Sequence, residues 1–320
     1  MEIDLMDLFG IASVIAAAQQ TGLLRALQSG PRTAQAYAEE LGFDRRATGL
    51  VLEALVTLGV ASREGDAYDA SPRMKALMPG RGQGSDFREN LWGHTSTFLR
   101  TGEPITRMDG SPAEREASYR ETVAWLGKLL DSTAKELASK LTQAPARVLD
   151  VGCGSGVWSL AIAERFPSAH VTGQDFPAVL EAFTARAQAM NLGDRTATIP
   201  GNMHEVDLPE GGFDLVMIAN VLRLEPPDRA AALLARLATA VAPGGALLVV
   251  DALAGGTPER ERARALYALN LALRTQGGRV HSPAEFTSWL EAAGLRSIEV
   301  IELGGLAAPP GAIGALLASR

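Results

Sequence analysis

The sequence contains a single cysteine, Cys153, so no disulfide can form within the chain and no cysteine-zinc cluster can be built. Its four histidines, His94, His170, His204 and His281, show no ligand spacing, and no metal site is expected. Basic charge is also short: 30 lysines and arginines against 37 acids leave a formal net charge of −7. That balance argues against nucleic acid or an anionic membrane as the main partner, since both demand a basic face. No uncharged apolar run approaches the roughly 18–20 residues that span a bilayer. The opening MEIDLMDLFG lacks the basic start of a signal peptide. A cytoplasmic location is expected by default.

What is present suits a soluble globular protein: 47% hydrophobic and 21% charged residues. A length of 320 residues fits about two domains. Helical periodicity marks residues 11–27, 33–41 and 44–58, the last with Asp44 as N-cap. Short strands are expected at 60–64 and 67–69 about the turn pair Gly65-Asp66. Helix, turn, helix and hairpin in that order form the winged-helix pattern. Residues 1–80 hold seven basic and ten acidic side chains, however, and Leu50, Val51, Leu52, Leu55 and Val56 dominate the would-be recognition helix. An apolar surface without a basic stripe fits subunit pairing better than DNA.

A glycine-rich link at 80–86 separates this region, taken as residues 1–85, from a helical segment at 86–143. That segment carries Trp92, His94 and Phe98 within 87–99 and a long helix over 119–141 that includes Trp125. From residue 144 onward the pattern changes. Apolar runs at 148–151, 170–173, 196–199, 213–219 and 246–251 alternate with helical stretches at 157–166, 178–191 and 228–241. Such alternation predicts an α/β domain over 144–320 with a parallel sheet covered on both faces. After a helix at 283–293, two β-like runs at 296–303 and 312–318 lie close enough to be antiparallel neighbours.

The sharpest local signal is Arg147-Val-Leu-Asp-Val-Gly-Cys-Gly-Ser-Gly156, a strand running into a loop with glycines at 152, 154 and 156. Glycine permits the sharp turn and brings bare backbone close to a ligand. Asp150 stands just upstream, where a carboxylate repels a pyrophosphate and suits a cationic sulfonium amino acid. Asp175 ends the next strand 23 residues after Gly152, placed to accept bonds from ribose hydroxyls. Because the loop reads G-C-G-S-G and not G-x-G-x-x-G, S-adenosylmethionine is favoured over NAD.

These residues, with GQDFPAVLEAF, Gly201-Asn-Met-His-Glu205, FDLVMIANVL, APGGALLVVD and SPAEFTSWLEAAGL, resemble the class I methyltransferases. More narrowly, they resemble the two-domain O-methyltransferases of secondary metabolism, antibiotic biosynthesis included, which carry an N-terminal winged-helix dimerisation domain. The resemblance covers essentially the whole chain. It implies a Rossmann-like, doubly wound sheet with an antiparallel last strand, a homodimer through residues 1–85, and a pocket roof from 86–143. It also implies that Asp150, Gly152 and Gly154 flank the methionyl part of S-adenosylmethionine and that Asp175 holds the ribose with Phe176 beside the adenine. Asn202 and Met203 would bracket the adenine, and Asn220 would stand near the methyl donor. Trp92, His94, Phe98 and Trp125 would line a small-molecule acceptor pocket.

One departure stands out. Where O-methylating members carry a histidine base, the segment reads Asn220-Val-Leu-Arg223-Leu-Glu225. Arginine stays protonated and cannot be a base. Either Glu225, His281 or His94 replaces it, or Arg223 binds an anionic acceptor that needs no base. A chain that keeps the fold and cofactor pocket but has lost methyl transfer, as a lyase, an oxygenase or a non-catalytic partner, is the alternative reading.

Overall fold

The computed structural model describes residues 5–77, 91–253, 258–304 and 313–320. The glycine-rich link at 80–86 and the start of the 87–99 segment lie outside the described residues. The chain divides into two compact units, residues 1–90 and 91–320.

In the first unit, the helix expected over 11–27 is two: Leu5–Gln20 and Leu23–Leu27, broken where Gly22 takes φ +80°. Helix Ala34–Leu41 is capped by Thr33, and helix Arg45–Thr57 by Asp44, whose carboxylate accepts from the Ala47 N–H at 2.8 Å. Strands β2 (Ala61–Glu64) and β3 (Ala67–Ala70) form the expected hairpin. A two-residue strand β1 (Arg32–Thr33) adds to β3, giving the antiparallel order β1-β3-β2. Leu27, Tyr37, Leu52 and Leu55 fill this core. On the first helix Leu5, Leu8 and Phe9 remain 64%, 45% and 63% exposed.

The second unit is a seven-stranded sheet in the order β6-β5-β4-β7-β8-β10-β9. The strands are β4 (Arg147–Val151), β5 (His170–Asp175), β6 (Thr196–Pro200), β7 (Phe213–Ala219), β8 (Val241–Ala252), β9 (Arg296–Glu302) and β10 (Ile313–Ser319). The five from β4 to β8 are parallel, and β10 alone runs against its neighbours β8 and β9. This is the expected Rossmann-like sheet, each strand within a few residues of its predicted position.

Alternation along β4 sends Val148 to one face and Leu149 to the other. Helices Pro112–Lys140, Val157–Arg165 and Pro177–Ala189 cover the Val148 face through Leu137, Leu160 and Phe183. Helices Pro227–Ala240 and Pro283–Ala292 cover the other through Leu234 and Phe286. The long helix starts at Pro112, seven residues before the expected 119, because Ser111 and Glu114 form a capping box. From β4 the chain moves outward to β5 and β6, then returns to β7 on the opposite side. A crevice therefore opens at the carboxyl ends of β4 and β7, where such sheets bind ligands.

Candidate functional site

At the end of β4, Gly152, Gly154 and Gly156 take φ of +67°, +55° and +68°, a backbone region that side chains disfavour. Space forbids side chains there too: a Cβ on Gly152 would stand 2.7 Å from Val221 Cγ2, and one on Gly156 would meet the Phe183 ring at 2.5 Å. The same ring closes on Gly173 of β5, opposite Asp150. The loop is pinned to β5 by the Gly152 and Cys153 N–H groups, which donate to the Gln174 carbonyl at 2.8 and 3.1 Å.

Asp150 and Asp175 face this loop. Asp150 is buried; Oδ2 accepts from Ser159 Oγ at 2.6 Å, while Oδ1 has no partner among the described residues. Burial, with Asp175 nearby and against the Ser159 bond, pushes the Asp150 carboxyl up to about 7. Asp175 accepts from the Gly154 and Phe176 N–H groups, both at 2.8 Å. Burial outweighs those bonds and pushes it up to about 6. Gln174 Oε1 is likewise buried without a partner among the described residues. Gln174 leaves β5 on the opposite face, with Val151, and donates to the Gly201 carbonyl at 2.6 Å, so the donor-free oxygen on the loop side is Asp150 Oδ1. That oxygen, beside a loop of positive-φ glycines, fits a ligand carrying cationic and hydroxyl groups.

Of the remaining cofactor candidates, Phe176 is half-buried at the start of helix Pro177–Ala189. Met203 packs partly buried against the second face. The Asn202 amide is held within its own turn, donating to Glu205 Oε1 at 3.0 Å and accepting from the His204 N–H.

Asn220 ends β7 with φ +62° and opens a 3₁₀ turn, Leu222–Leu224. Its side-chain oxygen accepts from Arg223 Nη1 at 2.9 Å. Asp251, at the end of β8, takes the Arg223 backbone N–H at 3.1 Å and approaches Nη1 at 3.4 Å. The guanidinium carbon lies 5.2 Å from the centre of the Tyr267 ring. Burial alone would lower the Arg223 pKa, but Tyr267, Asp251 and Tyr119 outweigh it and hold the cation above its ordinary value. One edge of the fork is thus anchored. The other, Nε and Nη2, has no hydrogen-bond partner among the described residues.

Glu225 is held in an ion-pair cluster, and one nitrogen of each candidate histidine lies against a carbonyl, while His281 Nδ1 is buried without a partner among the described residues. Glu225 has no exposed side-chain surface and faces Arg115 at 2.5 Å, His204 at 3.3 Å and Arg229 at 3.1 Å. Burial opposes its charge, yet His204 and Arg115 win and hold its carboxyl below the usual range, so it is a weak proton acceptor. His281 Nε2 sits 3.0 and 3.1 Å from the carbonyls of Leu222 and Glu225. Two acceptors require that nitrogen to carry the proton. Its ring packs edge-on against Phe286 and Trp289. Trp92 is 44% exposed, and His94 Nε2 is 2.9 Å from the Glu103 carbonyl. Phe98 and Trp125 are half-buried on helices Thr95–Thr101 and Pro112–Lys140. Among the described residues Trp92, His94 and Phe98 share no hydrogen bond or ring contact with Arg223. Asp251, Tyr267, Tyr119 and Arg274, which sequence reasoning missed, are the residues that surround it.

Comparison with known proteins gives the family. The family model for the O-methyltransferase domain matches residues 104–296. The mitomycin biosynthesis 6-O-methyltransferase of Streptomyces lavendulae is 29% identical, over 89% of this chain and 85% of its own. The structure of the mitomycin 7-O-methyltransferase superposes with a TM-score of 0.70 at 26% identity, covering 99% and 96% of the two chains. Human N-acetylserotonin methyltransferase in complex with S-adenosylmethionine shares the fold, with a TM-score of 0.67 at 22% identity and coverage of 99% and 96%. The chain belongs to the O-methyltransferase family, and its cofactor is S-adenosylmethionine.

Proposed function

We propose that this enzyme methylates an oxygen of a small acceptor of the secondary-metabolite type, and that Arg223 holds the acceptor as an anion where a histidine base would otherwise stand. The open Nε–Nη2 edge of a guanidinium whose other edge is tied to Asn220 and Asp251 carries this reading. S-adenosylmethionine, when bound, supplies an electrophilic methyl group. Asp150, Gly152 and Gly154 would hold its methionyl part, Asp175 the ribose, and Phe176, Asn202 and Met203 the adenine, with Asn220 beside the methyl group.

Methyl transfer needs a base only if the nucleophile still carries its proton. A fixed guanidinium beside the acceptor lowers its pKa by about 1–3 units, so a carboxylic acid or an already acidic phenol or enol is bound ionised at neutral pH. The bidentate fork also orients the oxygen lone pair, and alignment is the main protein contribution to an in-line displacement. Asp251 and Asn220 act as positioning residues for Arg223. His281 braces the turn from below by donating to its carbonyls. We also propose a homodimer through the first unit, supported by the exposed Leu5, Leu8 and Phe9.

The test uses labelled S-adenosylmethionine with a panel of phenols, enols and carboxylic acids. Acceptors of low pKa should be methylated fastest. Arg223→Ala should weaken acceptor binding by roughly 1.5–3 kcal/mol, the scale of a charged hydrogen bond, and lysine should restore only part. Cofactor affinity should hardly move. Wild-type kinetics in Arg223→Ala would remove the clamp, and cofactor binding without transfer to any acceptor would favour a protein that has lost the chemistry.

A further inference from the structure

The inward arginines of the second unit are mostly answered by the protein itself. Arg115, Arg186 and Arg223 face the carboxylates of Glu225, Asp131 and Asp251. Arg195 donates to the carbonyls of Ala163, Pro167 and Ala169. Arg274 differs. Its only acceptors among the described residues are Tyr267 Oη at 3.1 Å and the weak sulfur of Met108 at 3.6 Å. Its Nε is buried without a partner among the described residues, as are those of Arg186 and Arg236, but Arg186 keeps the Asp131 carboxylate and Arg236 the Val206 carbonyl. Arg274 is half-buried, and a guanidinium with no carboxylate partner among the described residues keeps donors free for an anion from outside.

The segment carrying Arg274 is firmly built. The Arg274 carbonyl accepts from the Met108 N–H at 3.0 Å. The Asp109 carboxylate takes the N–H groups of Gln276 and Gly277 at 2.9 and 2.6 Å. Arg274 and Arg223 share one neighbour: their guanidinium carbons lie 5.9 and 5.2 Å from the centre of the Tyr267 ring. Tyr119 lies in the same field, and burial, against the two arginines, pushes its hydroxyl up to about 12. It therefore stays protonated and able to donate.

We propose that Arg274 is a second anion-binding residue of the acceptor site and that the acceptor is an aromatic hydroxy acid, whose carboxylate pairs with Arg274 while the oxygen to be methylated faces Arg223. The assignment rests on the proposed methyl transfer to an ionised oxygen at Arg223. Two cations flanking one tyrosine ring suit a rigid molecule with two acidic groups. A simple phenol would leave Arg274 unanswered.

The experiment compares 6-hydroxy-2-naphthoate with 2-naphthol by titration calorimetry, using the full chain saturated with S-adenosylhomocysteine. The naphthoate should bind about tenfold tighter or better, the equivalent of one charged hydrogen bond. In Arg274→Met the ratio between the two probes should fall toward one. Arg274→Lys should keep part of it and show that the turn still folds. Equal affinities in the wild type, no saturable binding of either probe, or an unchanged ratio in Arg274→Met would overturn the assignment. Labelled methyl transfer to both probes is followed in parallel. A naphthoate preference without transfer would remove the reaction and leave the anion site; transfer without preference would remove the anion site alone.

Discussion

Cofactor affinity should depend steeply on pH, and the carboxyls of Asp150 and Asp175 set the window. In the folded chain burial raises them to about 7 and about 6, above the 3.8 ordinary for aspartate. Their ionisation therefore opposes folding. The stability they contribute is fully present below about pH 4 and is lost as pH rises through 6 and 7. A cation reverses the preference, because it binds the ionised form. If Asp150 must be ionised, a pKa of about 7 leaves roughly a tenth of the protein competent at pH 6 and three quarters at pH 7.5. The dissociation constant should then worsen by roughly eightfold between pH 7.5 and 6, with Asp175 adding about a further factor of two. Calorimetric titration across that range measures it, and buffers of different ionisation enthalpy count the protons released. Asp150→Asn removes the carboxylate and should flatten most of the slope while weakening binding at pH 7.5. A flat wild-type profile, or the same slope in Asp150→Asn, would refute the placement of the cationic ligand against Asp150.

Two further outcomes follow from the same geometry. His281→Phe loses the donor to the Leu222 and Glu225 carbonyls and should cost about 1–3 kcal/mol of stability by thermal unfolding. Because His281 does not accept the acceptor's proton in this account, the acidic limb of the pH–kcat profile should persist; its disappearance would restore His281 as the base. Light scattering at micromolar concentration should give a dimer mass, and Phe9→Glu with Leu5→Glu should shift it to the monomer. A wild-type monomer would count against the pairing surface.

Much of the fold could be read from the chain because its signals are local. Apolar strands, capped helices and the loop glycines between 147 and 156 lie within short windows. What escaped was short, charged or distant. β1 has two residues, too few for any periodicity. Helix Pro258–Ala272 begins Pro-Glu-Arg-Glu-Arg and does not resemble an apolar stripe. The glycine loop was legible for the same local reason, with Asp150 only two residues upstream of Gly152. The surroundings of Arg223 were not: Asp251 stands 28 residues away, and Tyr267 and Arg274 lie further along the chain. One signal was available, since an acid closing the apolar run Leu247-Leu-Val-Val-Asp251 must find a cationic partner when the strand is buried. His281 and Glu225 are candidates by sequence because both residue types can take protons; the bracing roles proposed for them rest on neighbours far along the chain.

Phe183 sits wholly inside the core, with its ring against both Gly156 and Gly173. The curve of the loop between β4 and the next helix is therefore imposed by hydrocarbon packing from within the core. A receptor cast in advance loses little freedom on docking, so more of each contact appears as affinity. Inheritance is affected as well. On the proposed placement of the cofactor, a core residue behind the loop would govern how well the ligand is held, and drift at position 183 would be read by the cell as a change in cofactor demand.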